Sequence, residues 1–160
     1  MGVDHPGAGP RTGIDESLWL ASIDPSIDPD AITAQLDPDG PIHTQDESQA
    51  IELWTERELA ALHALWRLSQ IRVRPPWRRR ALAAARWHLA ATQPDNATNH
   101  PWAIPVFLDL WMTDPESELG LNARLYAETL LHNCQTQSAK PDPLSALILL
   151  DASTGLELLI

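Results

Sequence analysis

The densest group of polar and aromatic side chains lies between Arg86 and Trp102, in the sequence RWHLAATQPDNATNHPW. Imidazoles, a carboxylate, amides and indoles occur there around one link between two predicted helices, and such links often form the wall of a ligand site. Stacking on indoles, with hydrogen bonds from the polar groups, suits a sugar or another polar organic ligand. The candidate ligand-binding residues are His88, Asp95, Asn96, Asn99, His100, Trp102 and, on the next helix, Asp109.

The same residues also fit a structural role. Asp95 and Asn99 are residue types that form turns and helix caps, and histidines often hydrogen-bond to backbone carbonyls. Asp109 lies between Leu108 and Leu110, close to an apolar face where burial would raise the pKa of a carboxyl group, but a surface or capping carboxylate is the ordinary alternative. Both interpretations stay open from the sequence.

A second candidate site is an arginine-rich turn. The stretch from Leu59 to Pro94 contains no acidic residue, and RVRPPWRRR occurs at its centre. Exposed arginines beside an indole bind phosphates or stack on nucleobases. Alternatively, the acidic N-terminal segment lies across the turn and neutralises it, or the arginine stems simply cover Trp77. The candidate anion- or partner-binding residues are Arg72, Arg74, Trp77, Arg78, Arg79 and Arg80.

A metal site is not expected, and neither is a cofactor. His132 and Cys134 are two residues apart on a predicted helix, so their side chains point in different directions and do not clasp one ion. No other pair of ligands has a recognised zinc spacing. Cys134 is expected to pack as a small apolar residue.

The 160 residues carry a formal net charge of −11, which argues against a general binder of nucleic acids or anionic membranes. Residues 1–50 account for −9 of this charge and for six of the fourteen prolines. We therefore expect residues 1–47 to form an acidic, largely extended arm. A hydrophobic anchor near Trp19 would dock part of the arm or form a short helix.

The amino-acid sequence also bears on location. It contains one cysteine, so an internal disulfide is impossible, and it has no apolar run long enough to span a bilayer and no signal-peptide pattern at its start. We expect a cytoplasmic protein.

Residues 48–160 have the spacing of an all-α domain. About five helices are predicted, packed as antiparallel hairpins because short links join them. Thr55 and Glu58 have the order of a capping box at the first start, and aspartates precede prolines at two later starts. The predicted helices run from Thr55 to Ile71, from Pro75 to before Pro94, from His100 or Ile104 past Trp111, from Asp114 to about Cys134, and from Asp142 to Gly155.

The segments ARWHL, QPDN, HPW and LYAETLLHN lie along residues 51–155. In this order of Ala-, Leu- and Trp-rich helical segments the chain resembles α/α-toroid proteins, the helical barrels found among glycoside-active enzymes, polysaccharide lyases and terpenoid cyclases. The resemblance implies an open or partial array of helical hairpins and implies no activity, because no catalytic motif of these families matches. The ten arginines and single lysine are also similar to the composition of short proteins of unassigned role from high-GC bacteria.

These observations favour a non-enzymatic bacterial interaction or scaffold domain that binds a protein partner or a second copy of itself. One alternative is a small-molecule or carbohydrate-active helical enzyme fragment that uses His88, Asp95, His100 and Asp109. Another is a modulator of a nucleic-acid-bound partner that acts through the arginine-rich turn. Because of the negative charge, direct nucleic-acid binding is not expected.

Overall fold

A computed structural model describes residues 13–43, 49–93, 100–137 and 142–157. Throughout these ranges the regular structure is helical and no strand is present, so the predicted all-α fold class is confirmed. The helices are α1 (Ile14–Ile23), α2 (Asp30–Thr33), α3 (Ile51–Ile71), α4 (Pro75–Ala91), α5 (Ile104–Thr113), α6 (Glu118–Gln137) and α7 (Pro143–Leu156).

The described ranges hold seven helices, and five of them, α3 to α7, lie in residues 48–160, where about five were predicted. The two additional helices, α1 and α2, lie in the segment that was expected to be largely extended. Asp15 and Glu16 occupy the first turn of α1, where carboxylates stabilise the positive end of the helix dipole. Leu18 and Ala21 are buried, so α1 supplies its own apolar contact with the domain. The anchor near Trp19 is therefore a helix.

The prediction that Thr55 and Glu58 cap α3 is wrong. Helix α3 begins at Ile51, one turn earlier, and the Thr55 hydroxyl donates to the Ile51 carbonyl inside the helix. Glu58 is fully buried instead of reaching back to the helix start. A Thr-x-x-Glu spacing within an apolar run does not distinguish a cap from a buried carboxylate that has partners elsewhere in the chain.

Two further helix boundaries differ from the prediction, and one agrees. Helix α6 begins after Ser117, whose Oγ accepts from the backbone N–H of Gly120, so Asp114 does not cap it. Asp142 does cap α7, accepting from the N–H groups of Leu144 and Ser145. Gly155 does not end α7: the helix continues to Leu156.

Helices α3 and α4 pack against each other, as do α5 and α6. Trp54 of α3 meets Trp87 of α4, and Phe107 of α5 stacks on Tyr126 of α6 with 4.3 Å between ring centroids. Helix α1 packs along α3, with Asp15 bound to Arg57 and the Trp19 ring against His63. The core between these helices consists of leucines, alanines and aromatic rings, including Leu18, Leu59, Leu62, Leu65, Phe107, Leu108 and Leu130.

In the part of the chain that the structure describes, no helix is long and apolar enough to cross a membrane. On α6, Cys134 is buried and His132 is exposed, so the two side chains do not face one ion. Burial raises the pKa of the Cys134 thiol. Across the described ranges, no group of three or more histidine, cysteine or carboxylate side chains could hold a metal ion.

Candidate functional site

A cleft of about 420 Å³ opens between α3, the start of α4, α5 and α7. We call it the carboxylate cleft, because Asp109 of α5 and Asp151 of α7 both line it. Its volume is within the range of about 300–1,000 Å³ that is usual for ligand sites. The other lining residues are Trp66, Gln70, Arg78, Pro105, Leu108, Met112, Ala152 and Gly155.

Asp109 is held in place by two donors. The Arg78 guanidinium binds both carboxylate oxygens, with Nε 2.9 Å from Oδ2 and Nη2 2.5 Å from Oδ1. The indole N–H of Trp66 donates to the same Oδ2 at 3.2 Å. Three helices, α3, α4 and α5, therefore fix this one carboxylate.

Asp151 is fixed in a similar way from α3. The Arg67 Nη1 donates to both of its oxygens, and His63 Nε2 lies 3.1 Å from Oδ2. His63 and Arg67 are four residues apart on α3, so they project from the same face of that helix. The carboxylate of α7 is thus held by two adjacent α3 side chains.

His63 is fully buried and has no ring nitrogen free for chemistry. The backbone N–H of Ala103 donates to His63 Nδ1 at 3.2 Å, so that nitrogen carries no proton and Nε2 donates to Asp151. Ala103 immediately precedes α5 and has a left-handed φ of 60°. His63 therefore orients Asp151 and the start of α5, and it does not reach a ligand.

The surroundings of Asp151 favour its ionised form. Burial works to raise the pKa of Asp151, but hydrogen bonds from His63 and Arg67 and the charge of Arg67 outweigh it, and the pKa lies below its ordinary value. Burial lowers the pKa of His63, which keeps the ring neutral. Asp151 is then a poor proton donor at neutral pH, and its lowered pKa makes it a weak base.

The sequence-predicted residue His88 lies in the core, not in a cleft. It is fully buried, with Nε2 3.2 Å from Glu58 Oε1 and Nδ1 3.0 Å from the Thr92 hydroxyl. Glu58 also accepts from the backbone N–H groups of Ile42, at 2.7 Å, and of His43. His88 thus completes a buried polar network, which excludes it from contact with a ligand.

His100 and Trp102 share a different carboxylate. His100 Nδ1 lies 2.7 Å from Glu56 Oε1, and the Trp102 indole N–H donates to the same oxygen at 2.8 Å. Glu56 and Glu58 are two positions apart on α3, about 200° around the helix, so His88 and His100 lie on different sides of it. The structure does not bring these two histidines together.

Of the remaining predicted ligand residues, only Asp109 lines the carboxylate cleft. Asp95, Asn96 and Asn99 lie outside the described residues.

Most of the arginine-rich turn is occupied by the chain itself. Arg80 donates to the backbone carbonyls of Asp37, Gly40 and Pro41, and Arg72 donates to the Pro25 carbonyl. The interactions with the N-terminal segment are thus mainly with its carbonyl groups.

The other residues of the turn have mixed roles. Arg74 is 4.0 Å from the Asp30 carboxylate and stacks on Trp77, which is buried. Arg78 belongs to the carboxylate cleft. The side chain of Arg79 is exposed, and among the described residues it has no ion-pair partner.

A second groove of about 420 Å³ adjoins the carboxylate cleft. Gln70 and Arg78 line both spaces, so the two lie side by side near the end of α3 and the start of α4, and together we call them the depression. We call the second space the arginine groove. Its other lining residues are Ser69, Val73, Arg74, Pro75, Arg79 and Leu82.

Sequence reasoning missed His63, Arg67 and Asp151. Asp151 is 88 residues from His63, and no local pattern relates the two. The spacing of His63 and Arg67 in the otherwise apolar stretch 59–68 of α3 was the available signal, because residues four apart share one face of a helix and buried polar groups need partners. That signal does not name the partner.

The chain matches no protein-family model, no curated protein sequence and no solved structure.

Proposed function

We propose that this chain is a non-enzymatic interaction domain that binds a segment of a partner protein along the carboxylate cleft and the arginine groove. The supporting observation is that Asp109 and Asp151 are both paired with arginines, while His63 has both ring nitrogens engaged. The cleft thus offers fixed hydrogen-bonding groups and apolar walls, with no unengaged acid, base or nucleophile among its lining residues. Such a surface is suited to recognition.

The shape of the surface favours an extended polypeptide over a compact small molecule. The two adjoining spaces, of about 420 Å³ each, together extend from α7 to the link between α3 and α4. Met112 and Val73 expose apolar atoms, one in each space, and Arg79 adds a cation without an ion-pair partner among the described residues. The proposed partner segment carries apolar side chains and one acidic side chain. A strongly acidic partner is disfavoured by the net charge of −11.

The two alternative functions have less support. An enzyme using the predicted histidines would need His88 and His100 in one pocket, whereas they lie on different sides of α3. A nucleic-acid role would need free arginines at the turn, whereas Arg72, Arg78 and Arg80 have acceptors within the chain. We do not extend the proposal to either function.

The proposal includes the domain organisation and the location that were expected from the sequence. Residues 48–160 would form the hairpin array, and residues 1–47 an arm attached to it. A cytoplasmic location is also part of the proposal, and its basis is the single cysteine.

A random-peptide phage library provides the test, because it does not require the natural partner. Peptides selected on the full chain are measured against Met112→Asp and Arg79→Glu, one variant for each space. Leu125→Asp on α6 and Arg86→Glu on α4 are the matched controls, since both residues are exposed and neither lines the depression.

We expect selected peptides to lose at least tenfold in affinity for both groove variants and less than twofold for both controls. They should share apolar residues next to one Asp or Glu. Failure to enrich any peptide, or equal losses in groove and control variants, would overturn the proposal.

A further inference from the structure

A second, smaller space lies between α1, α3 and α7, away from the carboxylate cleft. Its volume is about 220 Å³, and it is lined by Asp15, Glu16, Trp19, Ala60, Trp102 and Leu144. We call it the indole pocket. Its size is below that of a usual drug-sized site but suits a compact chemical group. We propose that the indole pocket binds an alkylated ammonium group, a function beyond the peptide recognition proposed above.

Two indoles form the walls of the pocket. Trp19 and Trp102 are 5.4 Å apart between ring centroids, and their planes make an angle of 83°. Two aromatic walls at right angles, closed by an aliphatic side chain, form the kind of cage that holds quaternary ammonium and methylated lysine groups. Leu144 supplies the aliphatic wall, and Ala60 at α3 leaves the space unfilled.

The Trp102 ring is polarised by a hydrogen bond to a carboxylate. Its indole N–H donates to Glu56 at 2.8 Å. A hydrogen bond to an anion pushes electron density into the donor ring, which strengthens the attraction of the ring face for a cation. The Trp19 ring already makes one such contact, with the Arg67 guanidinium 5.9 Å from its centroid. Arg67 does not line the pocket, so it does not fill the proposed site.

The side chains around the pocket carry a residual negative charge. Three carboxylates, of Asp15, Glu16 and Glu56, surround the two indoles. Arg57 is bound to Asp15 through two hydrogen bonds, which leaves Glu16 exposed at the pocket without a hydrogen bond from any described residue. The residual negative charge favours a cationic ligand over an anionic or neutral one of the same shape.

The pocket has no donor set that would suit an ordinary hydrated cation. Two of its six lining side chains are carboxylates, and indole and aliphatic surface forms the rest. A bulky, weakly hydrated ammonium group loses little hydration on entry and gains contact with both rings. The same chemistry is present in a small quaternary amine such as choline and in a trimethylated lysine side chain.

The test is a titration of the full chain followed by NMR of the indole N–H signals. The probes are tetramethylammonium, choline, a peptide with trimethyllysine, and 3,3-dimethylbutan-1-ol, which has the shape of choline without its charge. Sodium chloride at equal concentration controls for ionic strength. The variant Leu144→Lys places a cation at the pocket, and Leu150→Lys on the same helix is the matched control because Leu150 is exposed and lies outside the pocket.

We expect tetramethylammonium and choline to shift the Trp19 and Trp102 signals, and the neutral alcohol to bind at least tenfold more weakly. Leu144→Lys should weaken binding at least tenfold, and Leu150→Lys less than twofold. Tighter binding of choline or of the trimethyllysine peptide identifies the source of the group. Equal binding of choline and the alcohol, no saturable shift, or an unchanged affinity in Leu144→Lys would overturn the proposal.

Trp19→Leu provides a second variant that removes one aromatic wall and keeps an apolar side chain. Its expected loss of affinity is at least tenfold. Because Trp19 also contacts His63, folding of this variant is checked by cooperative urea unfolding. If it does not fold, Ala60→Leu, which fills the pocket from α3, replaces it and should abolish the shifts.

Discussion

Val73 has a left-handed backbone conformation, with φ of 49°, in the short link between α3 and α4. For a β-branched residue this conformation is strained, and it costs a residue other than glycine about 1–2 kcal/mol of conformational free energy. The side chain is 78% exposed, so little packing offsets that cost. We predict that Val73→Asn raises the free energy of unfolding by about 1 kcal/mol, because asparagine tolerates the left-handed region.

Urea unfolding at pH 7 measures this change. Val73→Ala serves as the control, since it removes the branching and keeps a Cβ, and its gain should be smaller. A loss of stability in Val73→Asn would show that the valine side chain has a contact that outweighs the strain.

A second prediction at the residue scale concerns pH. Burial lowers the pKa of His63 below the ordinary histidine value of about 6.5, so the unfolded chain takes up this proton at a higher pH than the folded chain. Stability is therefore fully present above pH 6.5 and is lost as the pH falls from there toward the pKa of the folded state. Each unit of difference corresponds to about 1.4 kcal/mol.

The comparison of the full chain with His63→Gln isolates this contribution. At pH 7 the variant should be less stable, because it disturbs the contacts with Asp151 and Ala103. Between pH 6.5 and pH 5 its free energy of unfolding should fall less steeply than that of the unmodified chain. His132→Gln, at an exposed position on α6, should leave the profile unchanged. Parallel profiles for all three proteins would contradict the assignment to His63.

At the scale of elements, Glu58 joins α3 to α4 and to the segment before α3. Glu58→Ala leaves the N–H groups of Ile42 and His43 and the ring of His88 without their acceptor. Each buried group that loses its partner costs about 1–3 kcal/mol, so we predict a loss of at least about 3 kcal/mol in the free energy of unfolding.

Glu58→Gln keeps one carbonyl acceptor and should lose less than Glu58→Ala. Glu52→Ala, at an exposed position near the start of the same helix, controls for the change in helix propensity. Denaturant unfolding followed by circular dichroism gives the values, and equal stability of Glu58→Ala and Glu52→Ala would contradict the role of the network.

The approach of α7 to α5 depends on Gly155. A Cβ added there would lie 2.7 Å from Leu108 Cδ1 and 3.1 Å from Leu108 Cβ, and Leu108 is buried in the core. Alanine is otherwise the better helix former by about 1 kcal/mol. We predict that Gly155→Ala nevertheless lowers the free energy of unfolding by about 1–3 kcal/mol through overpacking.

The double variant Gly155→Ala with Leu108→Ala tests the cause. If the clash explains the loss, Gly155→Ala should cost less in the Leu108→Ala background than in the unmodified chain. Equal costs in both backgrounds would place the cause elsewhere.

The sequence predicts elements better than it predicts the contacts between them. Local rules identified the cap at Asp142 and the end of α3 near Ile71, because both depend on residues within one turn. The same rules assigned Glu58 to a cap, since the partners of its carboxylate lie 15, 16 and 30 residues away.

The carboxylate cleft illustrates the same limit. Asp109 was identified from its position beside apolar neighbours. Its partner Arg78 was assigned to a different site, and Asp151 was not identified at all. The local sequence of a helix does not show which other helix will supply the partners of its polar side chains. Tertiary packing decides both contacts.

At the scale of the whole molecule, the composition changes near residue 48, but the described residues before that point pack against those after it. Helix α1 packs along α3, and Ile42 and His43 supply donors to Glu58. We predict that a chain starting at Gln49 loses at least about 3 kcal/mol of stability relative to the full chain. Urea unfolding by circular dichroism measures the loss.

Glu58→Leu in both backgrounds shows whether the carboxylate is responsible. It should destabilise the full chain more than the shortened one, because only the full chain contains the donors. The same effect in both chains would show that the shortened chain loses stability for another reason.

The order of these partners along the chain has a consequence during synthesis. Ile42 and His43 leave the ribosome before Glu58, and His88 leaves it later. The N–H donors for the buried carboxylate of Glu58 have therefore already been synthesised when α3 emerges, so two of its hydrogen bonds do not depend on α4. A gene that lacks the codons before Gln49 would encode a chain without the Ile42 and His43 donors. We expect this chain to depend on chaperones and to accumulate in inclusion bodies.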